Sequence, residues 1–289
     1  MDRIAAEGPN AEQIEYWNEV SGARWVEMNN VLDAQISPLG EVAIARAAIA
    51  SGERVLDVGC GCGQTCLQLA ERVGDAGSVL GLDISAVMLA RARERAEAAG
   101  LRNLEFRNAD AQTEPFAGEF DLLFSRFGVM FFASPDAAFS NLLTALRPGG
   151  RLICVTWQPL GMNPWMQVPM AAAAKHLPPA DTPPDPTAPG PFALADATRV
   201  ERILAAAGFE QIAHESLERE LLLGGGRSLD ETAAFVAQLG PAGAALRDAD
   251  DELRAQVLSA IRLALEPYHE EAGVRMQAAA WIVSARRPQ

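Results

Sequence analysis

Short apolar strands alternate with amphipathic helices over residues 54–157, and this alternation constrains the fold more than any other feature of the sequence. Strands are predicted, in order, over residues 54–58, 78–82, 104–108, 120–124 and 151–157. Helices are predicted, in order, over residues 64–73, 85–99 and 137–146. Strands and helices that alternate at this spacing form a parallel sheet with right-handed crossovers. The sequence therefore predicts a wound α/β domain.

The segments outside this alternation differ from it in composition. Seven prolines fall within residues 177–191, which predicts an extended connection rather than a helix. The sequence therefore predicts five segments, in order: a helical arm or lid over 1–50, an α/β core over 51–157, a linker with a helix and an edge strand over 158–227, a helical insertion that covers a substrate over 228–270, and a last core strand with a tail over 271–289.

A strongly acidic composition limits the partners of the chain. It has 289 residues, of which 49% are hydrophobic, and a formal net charge of −14. A negative surface repels phosphate backbones, so we expect no nucleic-acid partner. No apolar run approaches the roughly 18 residues of a membrane span, so we expect no membrane partner. The first residues, MDRIAAEGPNAEQIEYW, carry acids and lack the apolar run of a signal peptide, which predicts a cytoplasmic protein.

The stretch VLDVGCGCGQTC, residues 55–66, joins the first predicted strand to the first helix of the core. Glycine is needed where backbone approaches a ligand closely or adopts a positive φ. The pattern G-x-G-x-G at Gly59, Gly61 and Gly63 differs from the dinucleotide fingerprint G-x-G-x-x-G, which needs a glycine where this chain has Gln64. The stretch therefore predicts a ligand-binding loop and argues against NAD or FAD as the ligand.

Three of the four cysteines lie in the same stretch and allow two interpretations. Cys60, Cys62 and Cys66 could form a metal or redox site, or they could be small residues beside backbone that must stay close to a ligand. A structural zinc site uses about four ligands, typically with C-x₂₋₄-C spacing. The spacing here is C-x-C-x₃-C, and no histidine is near in sequence. We therefore expect no metal site.

Acidic residues stand at or just after the ends of three predicted strands. Asp57 lies in the first, Asp83 follows the second, and Asp110 follows the third. The carboxyl ends of parallel strands meet at one edge of a sheet, and ligands bind there at the point where strand order reverses. A carboxylate after the second strand can accept hydrogen bonds from the hydroxyls of a ribose. The three acids and the glycine loop are therefore predicted to share one crevice.

Five stretches in order, VLDVGCGCGQT, GLDIS, NADAQTEPF, FDLLFSRFGVMFF and LRPGGRLICVTW, resemble the successive motifs of class I S-adenosylmethionine-dependent methyltransferases. Their overall sequence pattern is similar to that of the branch that methylates quinones, sterols and other small molecules. The resemblance covers roughly residues 50–157. It implies a Rossmann-like sheet that is mostly parallel with an antiparallel last strand, N-terminal helices and a helical insertion before the last strand. It also implies S-adenosyl-L-methionine as the cofactor.

The resemblance also implies a set of cofactor-binding residues. They are Asp57, Gly59, Cys60, Gly61, Gly63, Asp83, Ile84, Met88, Asp110, Ala111 and Ser125. In this interpretation the backbone of the glycine loop and Ser125 lie beside the methionine part, and Asp57 orients its ammonium group. Asp83 holds the ribose hydroxyls. Ile84 and Met88 enclose the adenine, and Asp110 with Ala111 contacts its polar edge.

Two histidines are candidates for a general base, which helps when the methyl acceptor is a hydroxyl or an acidic carbon. His269 precedes the last strand, which runs antiparallel in the resembled fold and so begins at the ligand edge. His176 follows the fifth strand, beside the proline-rich segment. Each residue has an alternative role as an ordinary surface or structural histidine.

A second set of residues is predicted to contact the methyl acceptor. Met130 and Trp157 suggest an apolar pocket wall, and Trp17 and Trp25 suggest a helical lid. Arg126 follows the fourth strand and could pair with a substrate carboxylate or form an internal salt bridge. For the apolar residues, ordinary core packing is the alternative.

The sequence thus predicts an enzyme that transfers a methyl group to a small, partly apolar metabolite, with the acceptor atom (O, C, N or S) undetermined. Two alternatives stay open: an NAD-type oxidoreductase on a similar sheet, and a regulator that binds the cofactor without catalysis. The segments typical of amino-methylating and cytosine-C5-methylating nucleic-acid enzymes are missing from the sequence. A homodimer is possible.

Overall fold

The computed structural model describes residues 3–177, 185–239, 243, 246 and 249–289. Within these residues eight strands form one sheet. They are β1 (Arg54–Val58), β2 (Ser78–Asp83), β3 (Leu104–Asn108), β4 (Phe120–Arg126), β5 (Leu146–Trp157), β6 (Glu210–Leu223), β7 (His269–Glu270) and β8 (Gly273–Arg286). The order across the sheet is β3-β2-β1-β4-β5-β8-β6, and β7 pairs with β8.

The direction of the strands matches the predicted class of sheet. β1 to β5 pair in parallel, whereas β8 pairs antiparallel with both β5 and β6. The prediction of a mostly parallel sheet with an antiparallel last strand is therefore confirmed. Strand order reverses between β1 and β4, and the carboxyl ends of these two neighbours are where a sheet of this kind binds its ligand.

Ten described α-helices accompany the sheet. They are α1 (Ala11–Glu15), α2 (Gly22–Glu27), α3 (Asn29–Arg46), α4 (Gln64–Val73), α5 (Ala86–Ala99), α6 (Pro135–Ala145), α7 (Pro164–Ala174), α8 (Ala197–Ala207), α9 (Leu229–Val236) and α10 (Asp251–Leu265). Helices α3, α4 and α5 contact one another and the sheet, while α6 and α8 form a second packed pair that also contacts it. Apolar side chains from the strands and both groups form a continuous core.

Local sequence explains where the core helices begin and end. The Ser85 side chain caps α5 by accepting a hydrogen bond from the Met88 amide, and Gly100 ends the helix in a left-handed conformation. The sixth helix starts at Pro135, two residues before the predicted start, with Ser134 as its cap. Proline at the first helical position lacks only an amide that would be unpaired there, so it extends the helix.

The fifth strand is longer than predicted. We expected Pro148, Gly149 and Gly150 to form a turn into a strand starting at residue 151, but β5 starts at Leu146. Leu146 pairs with Phe120, and the register then shifts before the regular ladder begins. Gly149 has a φ of +74°, which lets the strand absorb this irregularity without ending.

Further helices and a strand lie outside the core. α1–α3 precede the sheet, and we call residues 3–50 the arm. α7, α8 and β6 follow the core, and α9 and α10 lie between β6 and β8. Part of the predicted extended connection, residues 178–184, lies outside the described residues. Among the residues that are described, no helix is both long and apolar enough to cross a membrane.

β6 and β8 continue together beyond the end of β5. Trp157, the last residue of β5, pairs with Ala280, whereas β8 and β6 pair as far as Val274 and Leu223. The six residues from 274 to 279 lie beyond this last pair with β5 and correspond to roughly 20 Å of extended chain. β6 also forms one edge of the sheet, so its outer backbone has no strand partner among the described residues.

Candidate active site

A cavity of about 310 Å³ opens at the carboxyl ends of the parallel strands. Its walls come from the loops after β1, β2, β3 and β4, from the arm and from the end of α9. The predicted cofactor residues that line it are Gly59, Cys60, Gly61, Asp83, Ile84, Met88, Asp110 and Ala111. The predicted acceptor residues that line it are Trp17, Trp25, Arg126, Met130 and Trp157. The structure thus brings both predicted sets to one cavity.

Three predicted cofactor residues are not part of the cavity wall. Asp57 is fully buried, and Gly63 is the residue before the first turn of α4. The Ser125 hydroxyl donates a hydrogen bond of 2.7 Å to the carbonyl of Val58 and so holds β4 to the end of β1. In this structure all three support the residues that face the cavity.

The glycine loop has the backbone conformation that the sequence predicted. Gly59, Gly61 and Gly63 have φ values of +68°, +55° and +80°. A Cβ atom on Gly59 would lie 2.6 Å from the Cα of Gly128, and one on Gly61 would lie 2.9 Å from the Cε of Met88. The glycines are therefore required both by conformation and by close packing of the β1 and β4 loops.

Asp83 links the glycine loop to the second strand. One carboxylate oxygen accepts from the amide of Gly61 at 2.8 Å, and the other accepts from the amide of Ser85 at 2.8 Å. Burial raises the pKa of Asp83, and the backbone hydrogen bonds oppose that rise. Each carboxylate oxygen has a further lone pair, so Asp83 retains capacity to accept hydrogen bonds from a ligand.

Asp110 is in contact with the arm. Its Oδ1 atom accepts from the side-chain amide of Asn10 at 2.8 Å and from the backbone amide of Gln112 at 2.9 Å. Its other oxygen is free to accept from a ligand in the cavity. The sequence analysis missed Asn10, because a single asparagine more than 90 residues away carries no local signal of this contact.

The arm makes a second contact at the end of β2. Asn18 donates to the carbonyl of Ile84 at 2.9 Å and accepts from the amide of Ala86 at 3.0 Å. The Ser85 hydroxyl donates to the carbonyl of Trp17 at 2.9 Å. Together with the Asn10 contact, these bonds hold the arm over the loops predicted to bind the adenosine part of a cofactor.

Asp57 lies buried beneath the glycine loop. Oδ2 accepts hydrogen bonds from the Thr65 hydroxyl at 2.5 Å and the Cys66 thiol at 3.1 Å, while Oδ1 has no partner. Burial raises the pKa of Asp57 to about 6, although these hydrogen bonds and the charge of Arg126 oppose the rise. A neighbouring cation would favour its charged form.

Arg126 forms an internal ion pair, one of the two roles that the sequence left open. It lies 3.3 Å from Asp33 of α3, and Asp33 also pairs with Arg95 at 2.8 Å. Arg126 donates a further hydrogen bond to Gln64 at the start of α4. Asp33 and Gln64 line the cavity as well and were missed from the sequence. This network joins α3 of the arm to the first helix of the core.

Aromatic residues form two groups on the cavity wall. In the first, Trp17 lies edge-on to Trp25 and Phe131, with ring centroids 5.6 Å and 5.1 Å apart. The second group is Phe127, Trp157 and Trp165. Phe127 stacks on Trp157 at 4.1 Å, and Trp157 lies 5.2 Å from Trp165. We call the part of the cavity that these two groups line the acceptor chamber.

Phe127 adopts an uncommon backbone conformation at this chamber. Its φ is +64°, a value that costs energy for a residue with a side chain. Its amide donates to the carbonyl of Val155 at 2.9 Å, which holds the residue in place. The backbone strain therefore coincides with a ring stacked on Trp157, and such strain clusters at binding sites.

The cysteines are small buried residues beside the loop. All four are free and buried. Burial raises the pKa of Cys60 to about 11 and that of Cys62 and Cys154 to about 12. In the described part of the chain, no cluster of three or more histidine, cysteine or acidic side chains could hold a metal ion.

The two candidate histidines do not reach the cavity. His269 is exposed in β7, at the far end of the β6–β8 extension, because that extension carries the start of β8 well beyond the end of β5. His176 is exposed just after α7. Neither of these residues lines the cavity. The third histidine, His214, packs edge-on to Trp281.

A family model for the methyltransferase domain matches residues 49–182. The resemblance found in the sequence motifs is therefore confirmed, and the methyltransferase domain contains the glycine loop and the three acids.

Curated relatives of the methyltransferase domain include two named enzymes. The chain is 38% identical over 117 residues to aklanonic acid methyltransferase DauC of Streptomyces sp. (strain C5), which covers 40% of this chain and 53% of that protein. It is 36% identical over 134 residues to ubiquinone/menaquinone biosynthesis C-methyltransferase UbiE of Pseudomonas putida, which covers 45% of this chain and 52% of that protein. The match therefore spans about half the length of these relatives.

Solved structures share the fold around the methyltransferase domain. Phosphoethanolamine N-methyltransferase 2 of Haemonchus contortus, in complex with phosphomonomethylethanolamine and S-adenosylhomocysteine, superposes with a TM-score of 0.55 at 21% identity. It covers 87% of this chain and 53% of that one. The [4+2]-cyclase SpnF superposes with a TM-score of 0.54 at 21% identity and covers 99% of both chains. These likenesses establish a Rossmann-like class I methyltransferase fold.

Proposed function

We propose that the protein is an S-adenosylmethionine-dependent methyltransferase that acts on a small, largely apolar metabolite. One observation supports this most strongly: the glycine loop, Asp83 and Asp110 line one cavity with the aromatic acceptor chamber. One part of the cavity therefore has groups suited to a nucleoside, and the adjoining part is an apolar space suited to a second molecule. The relationship to methyltransferases of small molecules supports the same assignment.

The residues present fit the proposed cofactor. Gly61 has no side chain, and a Cβ atom there would fill the space beside Met88. A ligand can therefore approach the backbone of Gly61 closely. Asp83 and Asp110 each keep unused acceptor capacity for ribose hydroxyls and an adenine amino group. The buried, unpartnered oxygen of Asp57 suits a nearby positive charge. When bound, the cofactor supplies a methyl group on a positively charged sulfur.

The residues of this chain contribute mainly by positioning. The aromatic rings of the chamber exclude water and hold an apolar acceptor against the cofactor site, and such alignment can supply much of the rate of a direct transfer. None of the three histidines lines the cavity, so the site offers no histidine base. We infer an acceptor that loses its proton readily, or one that needs to lose none before transfer. The acceptor atom stays undetermined.

Cofactor binding separates this proposal from an NAD-type oxidoreductase. Calorimetric titration should show binding of S-adenosylmethionine and S-adenosylhomocysteine and no binding of NADH. Gln64 stands where a dinucleotide site has its third glycine and hydrogen-bonds to Arg126 instead. Binding of NADH alone would overturn the proposal.

Turnover separates it from a regulator that only binds the cofactor. Methyl-labelled cofactor, incubated with fractionated metabolite extract, should give a labelled small molecule together with S-adenosylhomocysteine. Mass analysis of the labelled product would then identify the acceptor and the methylated atom. If the cofactor binds and no extract yields labelled product, the regulator becomes the better description.

The remaining features of the proposal concern setting and partners. We propose a cytoplasmic protein, since four free buried cysteines suit a reducing compartment. We propose a small-molecule substrate and no nucleic-acid partner, since the net charge of −14 opposes binding to phosphate backbones. A homodimer stays an expectation that sedimentation analysis would test.

A further inference from the structure

Two carboxamide side chains of α3 line the cavity and have no role in the chemistry described above. Asn29 and Gln35 are almost fully buried, with exposed fractions of 6% and 2%. Their amide nitrogens, Nδ2 of Asn29 and Nε2 of Gln35, have no hydrogen-bond partner. Because a buried donor without a partner is unfavourable, each nitrogen is a position where a ligand oxygen would be stabilised.

The orientation of Gln35 is fixed by the turn after β6. The amide of Gly224 donates to the Oε1 atom of Gln35 at 3.3 Å. This bond identifies the oxygen end of the carboxamide, so the unpartnered end is the nitrogen, which can only donate. Gly224 is the first residue after β6 and has a φ of +65°. The turn at Gly224 leads into the insertion before the last strand. Gln35 therefore connects the arm to the base of the insertion.

The surroundings of these two donors are apolar. Leu32 and Ile36 of the same helix line the cavity, as does Trp25 of the preceding helix. A complementary ligand would present aromatic surface to the rings of the acceptor chamber and hydrogen-bond acceptors to the two amides. Asn29 and Gln35 are six residues apart, a rise of about 9 Å along an α-helix, so they can address different atoms of one ligand.

We propose that Asn29 and Gln35 donate hydrogen bonds to carbonyl oxygens of the methyl acceptor, which is a planar aromatic carbonyl compound. This inference rests on the proposed function and names its substrate class. A carbonyl bound in this way withdraws electrons from a conjugated hydroxyl or carbon and stabilises its conjugate base, whose proton passes to solvent water as the acceptor enters the chamber. These two donors thereby explain how the acceptor can lose its proton in a cavity that no histidine lines.

Two matched probes test the proposal: 9-fluorenone and fluorene, which share a planar frame and differ by one carbonyl group. Both are titrated calorimetrically into the protein saturated with S-adenosylhomocysteine. The wild type should bind 9-fluorenone at least tenfold more tightly than fluorene. The double variant Asn29→Leu/Gln35→Met should reduce this preference to about twofold while leaving fluorene and S-adenosylhomocysteine affinity unchanged. Asn30→Leu, an exposed asparagine on the same helix, is the matched control and should keep the preference.

A second variant addresses folding. Gln35→Glu keeps an oxygen for the Gly224 amide and replaces only the donor, so it should weaken binding of 9,10-anthraquinone, whose two carbonyl groups can meet both amides, about tenfold. Equal affinity of the wild type for the two probes, or a preference retained by the double variant, would overturn the proposal. So would a loss of S-adenosylhomocysteine affinity in the variants, which would place the amides at the cofactor. Failure of the wild type to bind S-adenosylhomocysteine at all would instead contradict the proposed function.

Discussion

Three acids near the carboxyl ends of β1, β2 and β3 differ in the hydrogen bonds that they already make. Asp57, Asp83 and Asp110 stand at one edge of the sheet because parallel strands bring their carboxyl ends together. Their surroundings nevertheless differ. Asp83 and Asp110 already hold protein amides, whereas Asp57 is buried with one oxygen unpaired. Mutation of each therefore has a different expected consequence.

Asp83→Ala should weaken binding of S-adenosylhomocysteine about a hundredfold. It removes a carboxylate that would accept two ribose hydroxyls, and hydrogen bonds to charged groups contribute about 1.5–3 kcal/mol each. Calorimetry measures the change, and a circular dichroism spectrum verifies the fold. The control is Asp75→Ala, an exposed acid after α4, which should bind normally. An unchanged dissociation constant for Asp83→Ala would refute the ribose assignment.

Asp57→Asn should change how stability depends on pH. The pKa of Asp57 is about 6 in the folded protein against an ordinary value of 3.8. As pH rises, the unfolded chain therefore releases the Asp57 proton before the folded protein does. The preference of the folded state for this proton stabilises the fold fully below pH 3.8, and this stabilisation is lost as pH rises towards 6. The two values predict that the wild type loses about 3 kcal/mol relative to Asp57→Asn over this window. Urea unfolding between pH 4 and 7 measures it, and parallel curves would contradict the expected shift.

At the scale of elements, the glycine loop was predictable from the sequence and the strand register was not. Three glycines between an apolar strand and a helix indicate a close-packed loop, and Gly59 has both the positive φ and the close neighbour that require it. The start of β5 at Leu146 could not be foreseen, since it depends on pairing with Phe120 across a register shift. Such pairing is a tertiary contact, and proline and glycine locally suggest a turn.

Gly59→Ala should lower the free energy of unfolding by more than the cost of placing an alanine at a positive φ. Gly100→Ala is a matched control, because both glycines have a φ of +68° but a Cβ on Gly100 meets nothing within 4 Å. We expect Gly100→Ala to cost about 1 kcal/mol of unfolding free energy. Gly59→Ala should cost at least about 2 kcal/mol more, since its Cβ would lie 2.6 Å from the Cα of Gly128. Equal losses in urea unfolding would contradict the packing role.

At the scale of the whole molecule, the arm completes a site that the core only begins. The sequence motifs predicted which loops of the core line the cavity, because those residues follow strands in a regular order. They did not identify Asn10, Asn18, Asp33 or Gln35, which lie on the arm and reach the core through contacts distant in sequence. His269 lies away from the cavity because β6 and β8 extend beyond β5, and no local sequence pattern indicates the length of that extension.

Asn10→Ala should loosen the arm while leaving the sheet intact. The Asn10 side chain donates to Asp110 and accepts from the amide of Ala133 at 2.7 Å, so the variant loses both bonds. Hydrogen exchange followed by mass spectrometry should show about tenfold faster exchange in residues 11–20 and unchanged exchange in β1 and β4. Asn30→Ala, an exposed residue of the arm, is the control. Unchanged exchange over 11–20 would mean that other contacts hold the arm.

The edge strand β6 has a consequence for self-association. Five of its eight exposed positions are charged, namely Glu210, Glu215, Glu218, Arg219 and Glu220. Charged side chains along an open edge discourage the addition of a strand from another molecule, and acids facing acids across such a junction repel. Continuous sheets between copies, and the fibrils that grow from them, are therefore disfavoured. We therefore expect any dimer of this protein to form through a surface other than this edge.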